Sequence, residues 1–109
     1  MGKGDHLGEF EHLVMLALLR LKDTAYGMRV RQEIQSRTDR SVAIGSVYAT
    51  LDRLEHKGYV IATAGLEEGG RARKYFRLTP SGAQALLRMQ DAIHRMTEGL
   101  SVRQELKAI

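Results

Sequence analysis

The chain has 109 residues, 43% hydrophobic and 28% charged, and seventeen Lys and Arg against thirteen Asp and Glu leave a net charge of +4. That is enough chain for one modest core, and a mildly basic balance that suits a polyanionic partner without requiring one. With no cysteine, disulfides, thiolate zinc sites and cysteine nucleophiles are excluded.

Residues 1–8 are glycine-rich and polar and are expected to form a flexible N-terminal arm. They hold no apolar run of signal-peptide length, and His6 stands where N-myristoylation would want Ser or Thr. The longest apolar stretch, residues 13–19, falls far short of the roughly 18 residues that span a bilayer. The expectation is a cytoplasmic protein with no membrane partner.

"EFEHLVMLALLRL", from Glu9 to Leu21, is built of strong helix formers with apolar side chains nearly all round. In so small a domain, such a helix should be buried on more than one side. That places Phe10, Leu13 and Leu16 as candidates for a subunit interface as well as the core. After a turn at residues 22–24, a second helix is expected from 26 to about 37. Its apolar positions, Met28 (or Val30) and Ile34, are sparse, so it reads as half exposed.

"TDRSV" connects to a third helix, residues 43–57, with Gly58 as its stop. At about 100° per residue, Val47, Leu51 and Leu54 fall in one sector and Ser46, Thr50, Arg53 and Lys57 in another, a quarter-turn round. The first sector holds the helix on its domain. The second could be an ordinary solvated face, or a ridge whose small residues sink into a nucleic-acid groove while its cations meet phosphates or guanine edges. Arg53 and Thr50 are the candidates for reading bases.

"YVIATA" and "RKYFRLT" are β-branched and aromatic and flank "GLEEGGRA", a glycine-rich turn too long for a two-residue hairpin. Alternation puts Phe76 and Leu78 on one face of the second strand, and Arg73, Tyr75 and Arg77 on the other. "LTPSG" opens a last helix, with Thr79 as N-cap and Pro80 in the first turn. Leu86, Met89, Ile93, Met96 and Leu100 then follow at spacings of three and four. On pattern alone that stripe fits either a helix packed on its own domain or a C-terminal dimerisation helix over residues 81–109. One small core is already served by three helices and a hairpin, which favours dimerisation. Gly99 weakens the helix locally, so the last ten residues could fray or kink.

A half-exposed helix, a short turn, a helix with a cationic edge and a hairpin with "RARK" near its tip come in the order of a winged helix-turn-helix. The fold class is therefore mainly α with a small β-hairpin (α+β), a DNA-binding domain over 9–80 followed by the dimerisation helix. In that arrangement the 43–57 helix lies in the major groove, and Arg71, Arg73 and Lys74 sit on a phosphate-binding wing over 65–74.

Three blocks carry a more specific likeness: "AYGMRVRQEI", "GSVYATLDRLEHKGYV" and "GGRARKYFRLTPSG". In residues and spacing they resemble the PadR-like transcriptional regulators, from about Glu9 to Leu87. The resemblance implies a homodimeric winged helix-turn-helix regulator that binds an operator, usually as a repressor, with its first and last helices at the dimer interface. It implies that Tyr26 and Gly27 open the second helix, and that Ser46, Tyr48, Leu51, Arg53 and Leu54 are the recognition-helix signature. Arg71, Arg73, Lys74 and Tyr75 correspond to the wing, and Thr79 and Gly82 to the turn into the last helix. Two positions depart from the pattern: Ala49 follows the signature tyrosine where many members have proline, and Ala43 and Ile44 replace a Ser/Thr-Pro helix start. Ser41 is then the substitute cap. Tyr48 could either touch phosphate or pack on the second helix.

No GxSxG, phosphate loop or paired-carboxylate motif appears, so no catalytic residue, cofactor or enzyme activity is expected. His6, His12, His56 and His94 are widely spaced, and only His6, Glu9 and His12 could line up, a weak basis for a metal site. The competing reading is a ligand-sensing or protein-interaction module of the same fold that does not bind DNA tightly. Relatives in the family bind small aromatic or cationic effectors between the dimer's helices. This chain lacks the Trp for an aromatic clamp, and Met89 and Met96 suit core packing better than a pocket.

Overall fold

The computed structural model describes residues 7–66 and 69–109. Among the described residues, five helices and one hairpin follow in order: α1 (Glu9–Leu21), α2 (Gly27–Thr38), α3 (Ile44–His56), β1 (Val60–Leu66), β2 (Ala72–Leu78), α4 (Pro80–Thr97) and α5 (Val102–Lys107). A single 3-10 turn, Lys22–Thr24, joins α1 to α2.

The core is the junction of α1, α2 and α3. Val14, Met15, Val30, Val47, Leu51 and Leu54 are at most 1% exposed, and they come from all three helices. Phe76 of β2 and Ala85 and Leu86 of α4 close the cluster from the other side. The expected N-terminal arm lies mostly outside the described residues. Where it is described it is not loose, because Leu7 is buried in the core and the Gly8 amide donates to Glu11 Oε1 at 3.0 Å.

The hairpin is antiparallel, with Val60 opposite Leu78 and Leu66 opposite Ala72. Alternation along β2 holds: Phe76 is buried and Arg77 exposed. One further pairing was not legible in the sequence. Tyr26 bridges to Tyr75, and the Phe76 amide donates to the Ala25 carbonyl at 2.8 Å. The approach to α2 thus acts as a short third edge, fixing the hairpin to the helices.

The turn into α4 forms as its residues dictate. Thr79 Oγ1 accepts from the Gly82 amide at 3.0 Å and donates to the Gly58 carbonyl at 2.7 Å, with Pro80 in the first turn. A Cβ on Gly82 would collide with the Tyr59 carbonyl, so only glycine lets α4 approach the strand start so closely.

The C-terminal region is two helices instead of one continuous helix over 81–109, and the break falls where the weakening at Gly99 is expected: α4 stops at Thr97 and Gly99 takes φ +80° before α5 begins. Leu86, expected at a dimer interface, is 5% exposed and belongs to the chain's own core. The first turns of α4 are used up in packing on the domain. Phe10, Leu13, Leu16 and Met89 are part-buried against the same core, whereas Ile93, Met96 and Leu100 are 46%, 78% and 53% exposed. Leu19 of α1 and Leu87 of α4, which the stripe did not single out, are exposed as well. Together with Leu16, Leu78 and Leu86 they line an apolar hollow of about 370 Å³.

Candidate nucleic-acid interface

The angle between α2 and α3 is set by side chains of α2 that grip the connecting segment. Arg31 Nε donates to the Val42 carbonyl at 2.7 Å, and the Val42 amide donates to Gln35 Oε1 at 2.9 Å. Asp39 takes a left-handed φ of 58° to end α2. Neither Ser41 nor any other side chain caps α3, which starts from Ala43 without a side-chain hydrogen bond.

Tyr48 crosses from α3 onto the start of α2. Its ring lies where a Cβ of Gly27 would be, so the missing side chain of Gly27 makes the seat. The tyrosine is still 48% exposed. It is therefore packed on the second helix, outside the core, with part of its ring facing solvent.

On α3, Gly45, Ser46, Ala49, Asp52, Arg53 and His56 are exposed, while Val47, Thr50, Leu51 and Leu54 face inward. The leading half of the outward face is thus made of Gly, Ser and Ala, and a helix so trimmed can approach another surface closely. Thr50 corrects the sequence reading. It is 1% exposed, and its hydroxyl accepts from Arg53 Nη2 at 3.0 Å. A quarter-turn from the apolar sector was not far enough to escape the core.

Lys57 is also drawn inward. Its Nζ donates to both carboxylate oxygens of Glu11 at 2.9 and 3.0 Å, and Arg53 Nε lies 3.8 Å from the same group. Burial pushes the Glu11 carboxyl up, but the Gly8 amide, Lys57 and Arg53 outweigh it, holding the carboxyl below its ordinary value. At the end of α3, His56 donates through Nδ1 to the Asp52 carbonyl at 2.9 Å. That bond, and then the Asp52 charge, raise its imidazole above the usual value despite slight desolvation, with a smaller contribution from Glu55. His56 thus keeps a positive charge on the outward face over more of the pH range, a contribution that the apolar-sector pattern did not mark.

The wing is rooted on Tyr26. The Arg73 guanidinium lies 3.7 Å from the Tyr26 ring centroid, and Tyr75 meets that ring edge-on at 5.8 Å and 81°. Arg73 pairs with Gly65 one position from the turn, so its stacking on Tyr26 ties the tip-side half of the hairpin to the start of α2, an arrangement that suits Arg better than Lys. Lys74 and Arg71 are exposed. Glu67 and Glu68 lie outside the described residues.

Among the described residues, no group of three His, Asp or Glu side chains could hold a metal ion. His12 Nε2 instead bonds Gln90 Oε1 at 2.9 Å, tying α1 to α4, and His6 lies outside the described residues. Among the described residues, no helix is long and apolar enough to cross a membrane.

Three helices with an α2–α3 turn, then a hairpin braced on the second helix, make a winged helix-turn-helix. The family model of the PadR-like transcriptional regulators matches residues 15–88. The chain belongs to the PadR-like family. It is 39% identical over 71 residues to an uncharacterized protein of Lysinibacillus sphaericus, the match taking in 63% of the chain. It is 35% identical over 71 residues to a transcriptional regulator of Mycobacterium tuberculosis, with 65% of the chain matched. It spans about 64% of the length of each of these relatives. The PadR of Bacillus subtilis, solved in complex with operator DNA, is similar in fold at a TM-score of 0.63 and 18% identity. That likeness takes in 75% of this chain and 46% of the other.

Proposed function

We propose that this PadR-like regulator binds a pseudo-palindromic operator as a homodimer and represses transcription from it. The single observation that carries the reading is the outward face of α3: Gly45, Ser46 and Ala49 lead it, and Arg53 stands further along the same side. Such a face can enter a major groove about 12 Å wide without steric cost, and an arginine there can meet guanine N7 and O6. Ser46 and Arg53 are the base-reading residues, Tyr48 stands at the groove edge, and Arg71 and Lys74 meet the backbone beside it. Tyr26 and Arg73 serve by holding the wing in place. Thr50 and Lys57 drop out of the contact set, since one is buried and the other is turned toward Glu11.

Two copies joined through Ile93, Met96 and Leu100 of α4 and its continuation, with Phe10, Leu13 and Leu16 of α1 beside them, would present two such helices. Half-sites about 34–36 Å apart then follow from the pitch of the duplex. The B. subtilis relative, solved on its operator, supports the DNA partner, and the family supports regulation as the role.

Gel shifts on the DNA upstream of the chain's own coding sequence, at several salt concentrations, test the reading. Arg53→Ala should relax discrimination at one position of the site, by about 1–3 kcal/mol. Lys74→Ala should weaken every duplex alike and lower the slope of log K against log salt by about 0.9. Unchanged affinity for both specific and random duplexes in Arg53→Ala would overturn the assignment of α3.

A further inference from the structure

Glu11 lies on α1, yet it touches both cations in the C-terminal half of α3. Its side chain is 9% exposed and takes Lys57 Nζ on both oxygens, at 2.9 and 3.0 Å. Arg53 Nε is 3.8 Å from Oε2, while Arg53 Nη2 donates to the buried Thr50 hydroxyl at 3.0 Å. The guanidinium is therefore held on two edges by its own protein, and the Arg53 side chain is still 57% exposed. Lys57, by contrast, is 26% exposed and folded onto the carboxylate.

We propose that Glu11 is a positioning residue for sequence discrimination: it fixes the outward pose of Arg53 and keeps Lys57 off the phosphate backbone. The inference rests on α3 being the DNA-facing helix. Its physical basis is the difference between the two kinds of contact. Reading guanine needs the planar fork of an arginine aimed at N7 and O6, whereas any loose cation gains affinity from the nearest phosphate regardless of sequence. A buried carboxylate beneath the helix end biases against the second outcome. It neutralises one cation and orients the other.

The consequence is opposite to that of losing a purely structural contact. Glu11→Gln removes one negative charge at nearly constant shape, releasing Lys57 and loosening Arg53. Affinity for random DNA should rise severalfold, with the slope of log K against log salt steepening by about 0.9 for the added phosphate contact. Discrimination between a specific and a random duplex should fall about tenfold, the order of one bidentate base contact.

The probe is a duplex enriched from a random pool by the wild-type protein, compared with a scrambled duplex of the same length. Parallel weakening of both, with the wild-type salt slope, would reduce Glu11 to a staple between α1 and α3 and overturn the inference. Lys57→Met gives a second test that leaves Glu11 in place. It should leave the salt slope unchanged, and a drop of about 0.9 would put Lys57 on the backbone and contradict the proposal. If the wild-type chain enriches no sequence at all, the assignment of α3 fails first and this inference falls with it. Enrichment by the wild type, with discrimination intact in Glu11→Gln, would overturn the inference alone.

Discussion

Gly82 has no chemistry of its own, yet the site depends on it, because the seat of α4 fixes the strand start behind the wing. Gly82→Ala drives a Cβ into the Tyr59 carbonyl, a backbone atom that cannot swing aside. Overpacking of this kind costs about 1–3 kcal/mol, so the thermal midpoint should fall by several degrees. An unchanged midpoint would mean that α4 sits further from the strand. Glu11 gives a second expectation at this scale. Its carboxyl titrates below the usual value, so the pairing with Lys57 and Arg53 is fully present above pH 4.5 and is lost as pH falls through the lower folded value. The melting temperatures of wild type and Glu11→Gln should therefore differ at neutral pH and converge on acidification. A gap that persists into acid would place the effect elsewhere. The cap at Thr79 was legible because the amide it accepts from, that of Gly82, is only three residues away, whereas its donation to the Gly58 carbonyl, 21 residues back, left no pattern. The Glu11–Lys57 pair left none either, since 46 residues separate the two and only the packing of α1 on α3 joins them.

Among the elements, α1 and the α2–α3 pair could be read from the sequence because helical periodicity and the glycine stop are local signals. Gly58 takes φ +79° just past the Lys57 cap of α3, a conformation that favours glycine there. The hairpin was legible from its β-branched and aromatic runs, but its anchorage was not, because a lone bridge between Tyr26 and Tyr75 leaves no pattern in either segment. The stripe from Leu86 to Leu100 was misjudged at its start for a related reason. Spacing of three and four describes one face of a helix and says nothing of what covers each turn, and here the domain itself covers the first. The exposed remainder gives a sharp expectation. Ile93→Asp places a charge on a residue that is 46% exposed, so the helical content of each chain should persist. Sizing should shift from two chains to one. A mass unchanged by Ile93→Asp would move the interface to another face.

The whole molecule is elongated. Its radius of gyration is 15.8 Å, against about 13 Å for a compact chain of this length, and its extents are 55 × 34 × 20 Å. At the C-terminal end, α5 buries no residue, and Ile93 and Met96 of α4, Leu100 in the link and Leu106 of α5 are all exposed. Apolar surface exposed in this way is costly in water for a lone chain and favourable between two. The central claim, a paired molecule offering two copies of α3 to one face of a duplex, is tested most directly by hydroxyl-radical footprinting of a bound duplex. The account predicts two protected patches on one face, their centres about one helical turn apart. A single short patch, or uniform protection with no preferred position, would contradict it.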